Sequence, residues 1–92
     1  MATLQVFKYP ISAVDYAVLK LPVGAQLIHV ATQRDKPCLW ALVDPTAPME
    51  MRKFKVVGTG HAIDESVEKL IHVGSWLMHG DSLVFHLFEI VA

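Results

Sequence analysis

An all-β fold, an antiparallel sandwich or small barrel of about six or seven strands, is predicted by three features of the sequence. Apolar residues recur in runs or at a spacing of two, β-branched and aromatic residues concentrate in those runs, and Gly, Pro and Asp separate them. With 92 residues the chain has the size of one domain, and residues 1–92 are read as a single β unit. A hydrophobic fraction of 53% against a charged fraction of 18% excludes a disordered chain and leaves an apolar surplus that favours association into a homo-oligomer.

The first strand is expected over residues 4–9, ended by Pro10, and the second over 16–21, ended by Pro22. A turn at Val23-Gly24-Ala25 leads into a third at 26–32, and residues 33–37 carry turn chemistry. Residues 38–43 place Cys38, Trp40 and Leu42 on one face and Leu39, Ala41 and Val43 on the other, the pattern of a central strand covered on both sides. Asp44-Pro45-Thr46-Ala47-Pro48 is a loop, because two prolines remove ladder donors and fix φ. Residues 52–57 alternate Lys53 and Lys55 with Phe54 and Val56, a half-exposed strand ended by Gly58-Thr59-Gly60.

Residues 67–78 and 83–91 form a hairpin through His79-Gly80-Asp81-Ser82, with Gly available for a left-handed φ. Residues 64–71 admit two readings. Asp64-Glu65-Ser66 has the chemistry of a helix start, with Val67, Leu70 and Ile71 on one face; Val73, Gly74 and Trp76 follow at once and suit a strand or loop.

A net charge of −1, with no basic run longer than Arg52-Lys53, argues against general nucleic-acid binding. Cys38 is the single cysteine, and its neighbours Leu39 and Trp40 mark a packed thiol. His29, His61, His72, His79 and His86 lack the short spacing of zinc ligands, so neither metal nor cofactor is expected; His29, His72 and His86 would share a face only if their strands are neighbours. Ser66, Ser75 and Ser82 lack a nucleophile elbow and an assignable base, and no enzyme is expected.

The most site-like segment is Gly58-Thr59-Gly60-His61, where two glycines allow close backbone approach and successive N–H groups can cradle an anion. It lacks the lysine of a P-loop, and a plain glycine turn with His61 packed locally explains it equally well. Arg52, Lys53 and Lys55 precede it and supply charge, while Trp76, beside the small residues Gly74 and Ser75, either stacks on a ligand or fills the core. The expected ligand-binding set is therefore Arg52, Lys53, Lys55, Gly58, Thr59, Gly60, His61 and Trp76.

The blocks Pro37-Cys38-Leu39-Trp40-Ala41-Leu42-Val43-Asp44-Pro45, Val57-Gly58-Thr59-Gly60-His61 and His79-Gly80-Asp81-Ser82-Leu83-Val84-Phe85-His86-Leu87-Phe88-Glu89 resemble a family of small bacteriophage and prophage proteins. The resemblance spans nearly the whole chain, and the three blocks in order are specific. Residues 62–70 are less proline-rich than in that family, and Asp81 stands where Gly is common. The resemblance brings no activity with it. It implies a non-essential early phage protein acting in the cytoplasm of the bacterial host, where small phage proteins often counter defence.

Two functions follow as expectations. One is a non-enzymatic homo-oligomer that sequesters a phosphorylated or cyclic nucleotide immune signal between subunits. The other is an inhibitor that binds a host defence protein through an exposed strand edge or apolar patch. No apolar run reaches the roughly 20 residues of a membrane span, and Met1-Ala2-Thr3-Leu4-Gln5 lacks the basic segment and apolar core of a leader, which fits a cytoplasmic protein.

Overall fold

The structure, a computed structural model, describes residues 3–12, 15–80 and 82–91. Its described residues form seven strands: β1 (Gln5–Pro10), β2 (Tyr16–Pro22), β3 (Gln26–Gln33), β4 (Lys36–Val43), β5 (Met49–Gly58), β6 (Leu70–Met78) and β7 (Leu83–Ile90). They build two antiparallel sheets, one of three strands in the order β1-β4-β3 and one of four in the order β2-β5-β7-β6. The result is an open sandwich. Its Cα extents of 44 × 32 × 16 Å are those of two layers stacked face to face.

Side-chain alternation sorts each strand into an inward and an outward set. Leu39, Ala41 and Val43 of β4 point inward against Leu21 of β2, Phe54 and Val56 of β5 and Leu87 of β7, and Phe54, Leu21, Leu39 and Leu87 have no exposed surface. Burying side chains of this size contributes about 1.5–3 kcal/mol each. β4 is central in its sheet, but only its Leu39, Ala41 and Val43 face is fully covered: Trp40 and Leu42 lie partly exposed on the outer face, which corrects the expectation of burial on both sides, while the β6–β7 hairpin forms in the expected place. In its turn His79 and Gly80 have φ of 54° and 63°, and Asp81 lies outside the described residues.

Three proline positions differ from expectation. Pro10 and Pro22 end inside their strands, on edge strands where a missing N–H costs no ladder bond, and Pro37 lies within β4 opposite Thr32. The β3–β4 connection accordingly shrinks to Arg34-Asp35. Both have positive φ, 52° and 64°, the backbone of the tight hairpin turn usually built from Asn-Gly. Residues 64–71 hold no α-helix: Ser66 precedes a single 3-10 turn, Val67–Lys69, without a side-chain capping bond, and β6 begins at Leu70.

The sheets meet closely where β3 lies beside β6. Each strand carries a bulge there, between Leu27 and His29 and between His72 and Gly74, and each bulge adds a local bend.

Candidate functional site

The structure divides the eight residues of the expected ligand set between the interior and the surface. Arg52 faces inward, where its Nε and Nη2 donate to the two carboxylate oxygens of Glu89 at 2.6 and 2.7 Å and its Nη1 donates to the Ala25 carbonyl at 2.7 Å. A guanidinium committed in this way ties β5 to β7 and to the start of β3, and has no fork left for a ligand. Trp76 is 3% exposed and stacks on Phe85 with ring centroids 5.8 Å apart, so it belongs to the core.

Lys55 faces outward but is covered. Its Nζ donates to the Tyr16 hydroxyl at 3.0 Å and pairs with Glu65 at 3.0 Å, and the Tyr16 hydroxyl donates to the other Glu65 oxygen at 2.7 Å. These bonds, from Tyr16 first and then from Lys55, hold the Glu65 carboxyl down at about 2, and the same contacts raise the Lys55 ammonium. Lys53 stays exposed beside them, its Nζ 5.4 Å from the Tyr16 ring centre.

Gly58 to His61 is a β-turn closed by the His61 N–H donating to the Gly58 carbonyl at 3.1 Å, with Gly60 at φ 89°, the third-position geometry that asks for glycine. A Cβ on Gly58 would stand 3.2 Å from His61 Nδ1, so the imidazole packs over it. The Thr59 N–H donates to Val84 O at 3.1 Å. Two of the segment's N–H groups are thus already paired, which corrects the expectation of an anion cradle: both glycines serve the turn.

A different surface collects what the expected set lacked. On the outer face of the three-stranded sheet, register places Lys8 of β1, Trp40 of β4 and His29 of β3 in one row. Trp40 is partly exposed, and the exposed His29 ring lies 5.4 Å from it between centroids. Cys38 lies one step along β4 on the same face, buried as its neighbours predicted. Lys8, Pro10, Gln33, Arg34, Lys36 and Cys38 line an open cleft of about 420 Å³.

Lys8 Nζ donates to Gln33 Oε1 at 2.8 Å, spanning the sheet from β1 to β3. Among the described residues none of Lys8, Arg34 and Lys36 is in an ion pair, whereas Arg52 and Lys55 both are. Three uncompensated cations therefore rim a cleft beside an accessible tryptophan. Asp35, at the same turn, lines a separate cleft toward β6.

Lys8 and Gln33 are 25 residues apart, and nothing local in the sequence joins them. The signal that was legible is alternation, which puts Lys36, Cys38 and Trp40 on one face of β4. Of the three strand histidines, His72 and His86 share the four-stranded sheet and His29 lies apart on the three-stranded one, and among the described residues no three metal-ligating side chains converge.

The chain belongs to the family described as Domain of unknown function (DUF7352), whose profile matches residues 2–92. No curated protein and no solved structure matches it.

Proposed function

We propose that this chain binds a phosphorylated, nucleotide-like ligand, without altering it, on the outer face of the three-stranded sheet. The observation that carries the reading is the row of Lys8, Trp40 and His29, continued along the same face by the cleft that Lys8, Arg34 and Lys36 line without an ion-pair partner among the described residues. A base laid on the partly exposed indole gains about 1–3 kcal/mol from stacking. Phosphate oxygens then fall to cations, among which the planar Arg34 fork offers paired donors. Chemistry of this kind needs both an aromatic face and a local positive field, and a chain of net charge −1 gathers them here.

In the phage setting that the sequence blocks imply, such a ligand is a cyclic or linear nucleotide immune signal in the bacterial cytoplasm, and binding it counters defence by sequestration. The apolar surplus fits a homo-oligomer in which two such faces enclose one ligand. The exposed edge of β1, with Leu4 and Val6 more than half exposed, favours a second reading as an inhibitor of a host defence protein by strand addition.

Native mass spectrometry after incubation with a mixture of cyclic oligonucleotides and cyclic ADP-ribose isomers separates these. Intact ligand bound stoichiometrically, and lost on Trp40→Ala and Lys36→Glu, is the expected result. Altered ligand would overturn binding without turnover at this face. Bare protein that instead captures a host protein through β1 would replace sequestration with inhibition.

A further inference from the structure

The outer face of the four-stranded sheet carries a string of hydroxyl and imidazole groups that the proposed ligand site does not use. Ser75 of β6 and His86 of β7 are directly opposite in register, and Ser75 Oγ lies 2.7 Å from His86 Nδ1. On the other side of the same ring, Nε2 lies 2.7 Å from Thr59 Oγ1, just beyond the end of β5. His72 Nε2 lies 3.3 Å from Ser75 Oγ.

One proton arrangement that satisfies every contact has Thr59 Oγ1 donating to the Val84 carbonyl, 3.4 Å away, which can only accept. Thr59 Oγ1 then accepts from His86 Nε2–H, which leaves Nδ1 as the unprotonated nitrogen facing Ser75. The serine proton points at Nδ1, and His72 Nε2–H donates to Oγ. Nucleophile, base and a third group that fixes the base's tautomer are the three parts of an activated hydroxyl. Ser75 is exposed and also borders the cleft of about 450 Å³ between β3 and β6, where Ala31, Leu77 and Met78 mix with Thr32, Asp35 and His79.

We propose that Ser75 is an acyl-accepting nucleophile with His86 as its general base and Thr59 as the positioning residue, acting on activated esters of short acids. The Ser75 Oγ–acyl carbon bond forms as the bond from that carbon to the leaving oxygen breaks. The serine proton passes to His86 Nδ1 and from there to solvent, and the leaving group departs as its anion. Water, giving a proton to the same Nδ1, then attacks the acyl carbon, and Ser75 recovers its proton from His86 as the acid is released. No oxidant, metal or further reactant is required.

The test is 4-nitrophenyl acetate with the full chain, followed by stopped-flow release of 4-nitrophenolate and by mass spectrometry of peptides. A release faster than buffer alone, with one acetyl group on Ser75, is expected. His86→Gln should slow it about 100-fold, the scale of a lost general base. Thr59→Val should slow it and shift the rate's pH midpoint, and Thr59→Ser should restore both. Thr59 and Ser75 are exposed and His86 is partly so, and unchanged circular dichroism verifies folding. Acetylation on lysines alone, or the same release from Ser75→Ala, would overturn the assignment.

Discussion

A Cβ placed on Gly74 of β6 would stand 2.9 Å from Cβ of Val30 on β3, closer than real Cβ atoms approach. Glycine at this point lets the edges of the two sheets come together beside their paired bulges. Gly74→Ala is therefore expected to lower the unfolding free energy by about 1–3 kcal/mol through overpacking. Val30→Gly, which removes the Cβ that an alanine would keep, should recover part of that loss in a double-mutant cycle read by urea unfolding, because the residues share one contact.

The inward-facing Arg52 and Glu89 are held by two short bonds between them and a third from Arg52 to the Ala25 carbonyl. Removing one partner leaves a largely buried charge unpaired, so Glu89→Leu alone should cost about 3 kcal/mol or more. Arg52→Met with Glu89→Leu should be markedly more stable than the single variant. Equal loss in both would mean that the pair's charge is not what the fold depends on.

Glu65 titrates at about 2 in the folded chain against an ordinary 4.5, so the folded state binds its proton less readily than the unfolded state. Its contribution is fully present above pH 4.5 and fades as the pH falls toward 2. Melting temperature should accordingly fall over that window in the native sequence, and the fall should be shallower in Glu65→Gln.

Much of the architecture was legible because alternation and proline placement are local signals. Residues 38–43 announced a central strand, and the β6–β7 hairpin followed from Gly80 between two apolar runs. The site was less legible. Arg52 and Lys53 are adjacent in sequence but point to opposite faces, so a cluster of basic letters became one inward and one outward charge. Trp76 likewise followed its strand into the core. The Lys8, Arg34 and Lys36 cleft depends on β1 and β3 flanking β4, a pairing that only the topology supplies.

Arg34 and Asp35 occupy left-handed conformations that cost about 1 kcal/mol or more for a side chain such as arginine. Replacing them with Asn-Gly should raise stability by about 1 kcal/mol and, if the turn exists to present Arg34, weaken ligand binding at the same time. Thermal unfolding and ligand titration of the Arg34→Asn, Asp35→Gly double variant check both halves.

The placement of the ligand site is tested most directly by the indole N–H resonances of the two tryptophans, assigned with Trp40→Phe and followed while a bound nucleotide is titrated in. Movement of the Trp40 signal with that of Trp76 unchanged is the expected result. A moving Trp76 signal or shifts confined to Gly58, Thr59, Gly60 and His61, with Trp40 still, would contradict a site on the three-stranded sheet.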